Sequence, residues 1–379
     1  MAAFLDSIKK VFSLKHKGAI LGIDIGASSI KVALIEKEGE KVVLRNYGEI
    51  ALGPRAGVAA GQATNLPPEK LAEALRDLLK ETGITAHHTL MAIPFSASLL
   101  MVVELPDVSK KELETMVPIE ARRYIPVPIT EVSLDWWDLP KRKAEASAIT
   151  PASVADTGSV KPLNKIEVII AAIHNDVIKK FESIKRDAQI PGEASHFEIE
   201  IFSTLRAVVG KDLSPTLVVD MGAGSTKLVL VDEGVVRGSH VMSMGGQDIT
   251  LALARSQAIP FEKAEEIKCR VGTLGEWEGR DVLAAAEIIL VNILNEATRF
   301  TENYERKHGT KIAKVILVGG GARLLGIEKS IEKFFPSATI TIGDSFTRID
   351  TPAFLAERLK ELSPGYTVAL GIALRGLEE

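Results

Sequence analysis

The chain has 379 residues, 46% of them hydrophobic and 25% charged, with a formal net charge of −4 and a single cysteine, Cys269. That length predicts two domains or more, and the charge balance argues against a general nucleic-acid binder. A lone cysteine excludes an internal disulfide, and no Cys/His group has metal-ligand spacing.

Met1 to Lys17 has no signal-peptide apolar core or cleavage site, and no apolar run reaches bilayer-spanning length, so a cytoplasmic protein is expected. In this segment Phe4, Leu5, Ile8, Val11 and Phe12 share one helical face, with Lys9, Lys10, Lys15 and Lys17 adding charge. The pattern reads first as a short helix packed on the protein or frayed, and second as a basic amphipathic helix on an anionic membrane surface.

From residue 18 onward, strand-like and helical patterns alternate, which indicates an α/β protein. Three strands are expected at Ala19–Asp24, Lys31–Glu36 and Lys41–Gly48. A helix is expected at Pro68–Thr82, with Leu71, Leu75, Leu78 and Leu79 at helical spacing and Gly83 past its end. Strands at Thr89–Ile93 and Leu99–Leu105 follow, then a helix opened by the capping box Ser109-Lys110-Lys111-Glu112 and complicated by Pro118. A strand at Val132–Leu139 precedes Lys141–Lys165, which lacks apolar periodicity and reads as a loop. The strand Ile166–Ile173 leads to a helix capped by Asn175 or Asp176 and ended by Pro191-Gly192.

The second half restarts the pattern with strands at Leu217–Asp220, Lys227–Val231 and Val235–Gly238. Helices are expected at 247–257, 261–271, 281–307, 324–335 and 366–375, with a buried strand at Val315–Val318. Cys269 falls in one of these helices and reads as a partly buried small residue rather than a nucleophile.

Two segments carry the chemistry. Asp24-Ile25-Gly26-Ala27-Ser28-Ser29-Ile30-Lys31 and Asp220-Met221-Gly222-Ala223-Gly224-Ser225-Thr226-Lys227 agree at five of eight positions. Each follows an apolar strand and precedes another, so the chain reads as two duplicated halves facing each other. A tight glycine turn gathers backbone N–H groups into an anion site. Ser28, Ser29, Ser225 and Thr226 add hydroxyls, Lys31 and Lys227 add charge, and Asp24 and Asp220 suit Mg²⁺ held through water. One such loop alone reads as an ordinary hairpin turn; the pair reads as a clamp on a di- or triphosphate. No Gly-x-x-x-x-Gly-Lys-[Ser/Thr] loop occurs.

A third element, Gly319-Gly320-Gly321 with Arg323, ends a buried strand and would let a ribose or α-phosphate approach the backbone. Glu265 and Lys268, three residues apart on a helix, suit either an adenosine or a surface ion pair.

Two phosphate loops followed by a glycine-rich turn resemble the actin, sugar-kinase and DnaK-type superfamily. The stretch Glu120-Ala121-Arg122-Arg123-Tyr124-Ile125-Pro126-Val127-Pro128 and the segment Tyr366 to Arg375 resemble the PilM family of type IV pilus assembly, itself similar to the division protein FtsA. The resemblance covers nearly the whole chain. It implies duplicated actin-like (ribonuclease H-like) domains at 18–213 and 214–379, an FtsA-like extra subdomain at about 86–165, and a final helix at 366–376 packed back on the first domain. It implies ATP between the domains, with Glu265 and Lys268 on the adenine side. It also implies a groove beside the extra subdomain for the cytoplasmic N-terminal peptide of a PilN-like inner-membrane protein. Tyr124, Ile125, Pro126, Trp136 and Trp137 are the candidate groove residues. Adjacent on a strand, the two tryptophans point to opposite faces; either the protein covers the strand on both faces itself, or, as the resemblance favours, one tryptophan faces a peptide partner.

No general base is identifiable. Asp176 and Glu198 read as a helix cap and a surface charge rather than as water-activating acids, so at most a slow ATPase is expected. The alternatives are a small-molecule kinase, an ATP-driven chaperone, or a filament former.

Overall fold

The computed structural model describes residues 18–86, 88–142, 165–190, 196–277, 280–281 and 283–378. The amphipathic reading of 1–17 and most of the 141–165 loop lie outside the described residues.

In chain order the first half contains β1 (Ile20–Ile25), β2 (Ser29–Glu38), β3 (Lys41–Ala51), α1 (Pro68–Thr82), β4 (His88–Ile93), β5 (Ser98–Pro106), α2 (Lys110–Ala121), β6 (Val132–Asp138), β7 (Lys165–His174), α3 (Asn175–Asp187), β8 (His196–Ile199) and α4 (Glu200–Val208). The second contains β9 (Thr216–Met221), β10 (Thr226–Asp232), β11 (Val235–Met242), α5 (Gly246–Gln257), α6 (Phe261–Val271), the short ribbon of β12 (Glu276–Trp277) and β13 (Arg280–Asp281), α7 (Leu283–His308), β14 (Lys314–Val318), α8 (Ile327–Glu332), β15 (Thr339–Ile342), α9 (Ala356–Leu362) and α10 (Thr367–Glu378).

Two five-stranded sheets share one order, β3-β2-β1-β4-β8 and β11-β10-β9-β14-β15. In each, the first three strands form an antiparallel meander and the others run parallel to the first of them. β9 is buried along its whole length, and so is β1 except at Asp24; central strands covered on both faces read as continuous apolar runs. The first sheet carries α1 and α3 on one face and α10 on the other. The second carries α7 and α8 on one face and α4 on the other.

Helices α4 and α10 are thus exchanged: α4, from the first half, packs on the second sheet, and α10, from the second half, packs on the first. They touch backbone to backbone. A Cβ on Gly371 would lie 1.9 Å from the Ser203 carbonyl of α4; on its other side α10 meets β1, where a Cβ on Gly22 would lie 2.0 Å from the Ala369 carbonyl. The small face of α10 with Ala369 and Ala373 is what admits this approach.

A third sheet, β5-β7-β6, carries α2 on one face. Its other face packs toward α4 and the second sheet. Arg237 on β11 donates to Glu167 on β7 (2.8 Å) and to the Pro140 carbonyl (3.0 Å), tying the third sheet to the second. Because β4 pairs with β1, it belongs to the first sheet. The extra sheet therefore begins at Ser98 rather than near residue 86, and it ends at His174.

Local rules explain several boundaries. α1 starts with Pro68 and stops at Gly83, whose φ of 64° suits glycine. The α2 box forms, with Ser109 N donating to Glu112 Oε2 (2.9 Å), and the helix accommodates Pro118. α3 is capped by neither Asn175 nor Asp176: the His174 Nδ1 accepts from Asp176 N at 3.2 Å, because the helix starts one residue earlier.

Candidate functional site

The two matching segments fold into the same turn. Gly26 N donates to Ser29 O (3.0 Å) and Gly222 N donates to Ser225 O (2.9 Å). Carbonyls of both turns are occupied from behind. Ala27 O accepts from Thr64 N (2.8 Å), Gly222 O from Gly246 N (2.9 Å) and Ala223 O from Gln247 N (2.9 Å). A trans peptide points its C=O and the following N–H in opposite directions, so the N–H groups of Ser28, Ala223 and Gly224 face away from those donors. Both turns line one cleft of about 890 Å³, together with Asp24, Asp220, Lys31, Glu265, Lys268, the three glycines 319–321 and Arg323.

The glycine turn after β14 is shaped by its neighbours. Gly319 has φ 82°, and a Cβ there would sit 2.4 Å from Asp220 Oδ1. A Cβ on Gly321 would meet Met221 at 2.5 Å, whereas one on Gly320 would project into open space. No long helix follows at 324–335. Gly320–Arg323 form one 3₁₀ turn, Leu324 is extended, and Gly326 at φ 79° delays α8 until Ile327. The turn therefore has no α-helix N-terminus directly behind it. Arg323 lies 3.7 Å from Glu361.

Glu265 and Lys268 form a linked pair in the cleft wall. Lys268 Nζ donates to Glu265 Oε2 (2.7 Å), Thr250 Oγ1 (2.9 Å) and Gly246 O (3.2 Å), and Thr250 Oγ1 donates to Glu265 Oε2 (2.5 Å). α5 thus holds them toward the cleft. Cys269, expected partly buried, is exposed and lines the cleft, its Sγ 3.6 Å from Glu265 Oε1.

An acidic floor lies under the turns. Lys227 Nζ donates to Glu200 Oε2 (3.0 Å) and Asp220 Oδ2 (3.2 Å), while Glu200 Oε1 accepts from Phe95 N (2.6 Å). Burial pushes the Asp24 carboxyl up to about 7, with Lys31 opposing and Glu200 reinforcing the shift. Burial also works against charge on Lys227, but Asp220 and Glu200 outweigh it and hold its ammonium well above the ordinary lysine range. Lys31 Nζ reaches Ser29 Oγ (2.8 Å) and Glu49 (3.1 Å).

Thr226, expected among the phosphate ligands, is not one: it is fully buried and its hydroxyl donates to Met244 O at 2.8 Å. Side chains alternate along β10, so placing Lys227 toward the cleft turns Thr226 away.

Glu200 escaped the sequence reading. β8 is four residues long, and α4 opens at Ile199 without a side-chain cap. The legible signal was the alternation Phe197-Glu198-Ile199-Glu200 followed by Ile201 and Leu205 at helical spacing. Glu198 is no surface charge: it is buried, receiving both Arg206 nitrogens (2.7 and 2.9 Å) and Ser203 Oγ (2.7 Å). Burial alone would raise its carboxyl, but Arg206 outweighs that and holds it below the usual range. Asp176 is exposed and pairs with Lys179 at 3.1 Å.

Among the described residues no three acidic, His or Cys side chains cluster as a metal cage. Asp24 and Asp220 suit a cation that keeps its waters and rides on phosphate oxygens, which is how Mg²⁺ commonly binds.

On the extra sheet, Tyr124 is 47% exposed and Pro126 is exposed, but Ile125 is buried in the α2 core. Trp136 packs on that core and Trp137 on the opposite face, 5.9 Å from Phe202. Both tryptophans are half-buried, each resting on the protein's own side chains, which agrees with the reading of a strand covered from within and leaves part of each ring accessible.

A family model described as type IV pilus assembly protein PilM matches residues 22–377. The chain belongs to that family. A solved chain from a PilM-PilN type IV pilus biogenesis complex is 26% identical, with 96% of this chain and 100% of that one covered at a TM-score of 0.76. The cell division protein FtsA of Neisseria meningitidis serogroup B is 23% identical over 376 residues, 88% of this chain and 86% of the relative. The ethanolamine utilization protein EutJ of Carboxydothermus hydrogenoformans shares the fold at 16% identity and a TM-score of 0.53, over 97% and 93% of the two chains. Within the PilM family, the two equivalent sheets are the duplicated actin-like core, and β5-β7-β6 with α2 is its extra subdomain.

Proposed function

We propose that this PilM-family chain is an ATP-binding scaffold of the type IV pilus inner-membrane assembly complex. In this reading it binds the cytoplasmic N-terminal peptide of a PilN-like membrane protein. The supporting observation is the pair of identical turns, one from each sheet, lining a single cleft beside an open glycine.

Ser28, Ala223 and Gly224 N–H groups, with Ser28, Ser29 and Ser225 hydroxyls and Lys31, would hold the phosphates. Gly320 would border the ribose, with Glu265, Lys268 and Arg323 toward the base. Mg²⁺ would screen the phosphate charge, with Asp24 and Asp220 reaching it through water. The first unit would run over 18–213 and the second over 214–379, with nucleotide holding them together. Glu200 is one of the acids lining the cleft, and its engagement by Phe95 N and Lys227 fits slow hydrolysis.

The peptide groove would lie beside Tyr124 and Pro126 at the edge of β6, where an extended segment can dock. No helix among the described residues is long and apolar enough to cross a membrane. Attachment to the inner membrane would then come through partner proteins, with other pilus components and cytoplasmic motors as further contacts.

The test titrates the full chain with ATP and Mg²⁺ by calorimetry, then with a synthetic PilN-type N-terminal peptide followed by tryptophan fluorescence. Saturable binding of both is expected, with Tyr124→Ala weakening only the peptide. Absence of ATP binding, or rapid turnover without any partner, would replace the scaffold reading.

A further inference from the structure

Equivalent positions in the two halves hold the two phosphate turns. Ala223 O accepts from Gln247 N at the start of α5, and Ala27 O accepts from Thr64 N ahead of α1. In each half this donor follows the third strand of the meander. The connections that deliver it differ in length: residues 243–245 suffice between β11 and α5, whereas 52–67 lie between β3 and α1.

The longer connection is a strap with its own internal structure. It opens with a 3₁₀ turn at Gly53–Ala56, Gly57 has φ 71°, and Val58 N donates to Gly53 O at 3.0 Å. Arg55 donates to Asp77 on α1 at 2.6 Å. Both ends are fixed to the first phosphate turn, with Leu52 N donating to Ser28 O (2.9 Å) and Thr64 N to Ala27 O (2.8 Å). Long connections that are packed in this way usually serve a function beyond joining two elements.

The middle of the strap crosses to the second half. Ala63 N donates to Gln247 Oε1 at 3.1 Å. A Cβ on Gly224 would lie 3.2 Å from the Ala63 methyl, and one on Gly61, whose φ is 87°, would lie 3.2 Å from the Glu265 carboxylate. Gly61 and Gln247 both line the cleft. A continuous path therefore joins the two turns: Ala27 O to Thr64 N, Ala63 N to Gln247 Oε1, and Gln247 N to Ala223 O. The turns cannot separate to release a phosphate chain while that path is intact.

We propose that residues 52–67 are a latch on the cleft and that Gln247 is its catch. The Ala63–Gln247 hydrogen bond fixes the spacing of the two phosphate turns and sets how fast a nucleotide enters and leaves. This rests on the nucleotide reading of the cleft and adds control of exchange to it. Gln247 acts here as a positioning residue, through the strap. Its bond to Ala63 does not involve the ligand, so it stabilises the closed cleft equally with and without nucleotide. Loss of the bond should then speed entry and exit by the same factor and leave the equilibrium affinity almost unchanged. Loss of a group that touched the nucleotide would lower the affinity instead.

The experiment measures association and dissociation of radiolabelled ATP with Mg²⁺ on the full chain by rapid filtration, and the affinity by calorimetry. Gln247→Met keeps the side chain's length and removes the acceptor; Ala63→Pro removes the donor. Each should raise both rates by about three- to tenfold while the affinity stays within about twofold of native. The double variant should exchange no faster than either single one, because all three lack the same bond. In nucleotide-free protein, amide hydrogen exchange in fragments covering 59–66 should be at least about threefold faster in Gln247→Met than in native.

Circular dichroism checks that each variant folds; should one fail, the other carries the same rate and exchange measurements. Unchanged rates overturn the proposal. So does a fall in affinity beyond about tenfold, which would make Gln247 a direct nucleotide contact, or single-variant effects that multiply in the double variant. If native protein binds no ATP in Mg²⁺, the nucleotide reading itself fails. Hydrogen exchange of the strap then decides whether Gln247 holds it shut, and equal exchange in native and Gln247→Met overturns the latch.

Discussion

Lys227 faces Asp220 directly in the β9–β10 ladder, its Nζ 3.2 Å from the carboxylate, while in the equivalent hairpin Lys31 leaves Asp24 for Ser29 and Glu49. One duplicated motif has therefore acquired two electrostatic settings. In the second the lysine bridges Asp220 and Glu200; the first leaves a carboxylate whose burial opposes its charge.

That difference makes the ligand-free protein sensitive to pH. Asp24 is pushed up to about 7 by burial, with Lys31 only partly offsetting it. In the unfolded chain the same carboxyl titrates near an ordinary value of about 4. Between these values the folded state holds a proton that the unfolded state has released, so stability falls as pH rises through that window. The loss is at most about 4 kcal/mol. Asp24→Asn should flatten the fall and be the more stable form at pH 8. Urea unfolding of both proteins at pH 5 and pH 8 checks this; an identical pH dependence would remove the buried-carboxyl account.

Adjacent glycines in the turn after β14 should fail for different reasons. Gly320→Val adds a side chain to open space, so the melting temperature should move by no more than about 2 °C while ATP binding is lost. Gly321→Ala drives a methyl group against Met221 and should cost about 1–3 kcal/mol. Thermal melts paired with ATP titrations separate the two effects, and normal ATP affinity in Gly320→Val would remove Gly320 from the nucleotide's path.

Glu198 and Asp176, both acids of the first half, should differ widely in what their removal costs. Glu198→Ala strands Arg206, and to a lesser degree Arg375, inside the protein and should cost about 3–5 kcal/mol. Asp176→Ala removes an exposed pair with Lys179 and should stay within about 0.5 kcal/mol. Chemical denaturation of both variants provides the comparison; near-equal losses would contradict the burial assigned to Glu198.

Much of this was legible in the sequence because it depends on residues close together in the chain. The repeated Asp-x-Gly-Ala turns, the α1 boundaries and the Ser109–Glu112 box follow from backbone geometry, glycine's tolerance of positive φ and hydrogen bonds spanning a few positions. The Tyr124–Pro128 stretch pointed to the family in the same local way. Thr226 was misassigned even at this range, since a one-residue step along a strand reverses the face a side chain occupies.

What the tertiary structure alone decided concerns groups brought together from far apart. Glu198 and Glu200 differ by two positions, yet one is neutralised by Arg206 and Arg375 and the other meets Lys227 in the cleft. The covering of Trp136 and Trp137 depends on α2 and Phe202, which lie in separate elements. The exchange of α4 and α10 depends on Gly371 meeting Ser203 across 168 positions of chain. Each of these outcomes is set by desolvation and close packing, and both depend on which surfaces meet in space. Local pattern fixes the elements; long-range contact determines which of their charges are buried, which are paired and which remain open to a ligand.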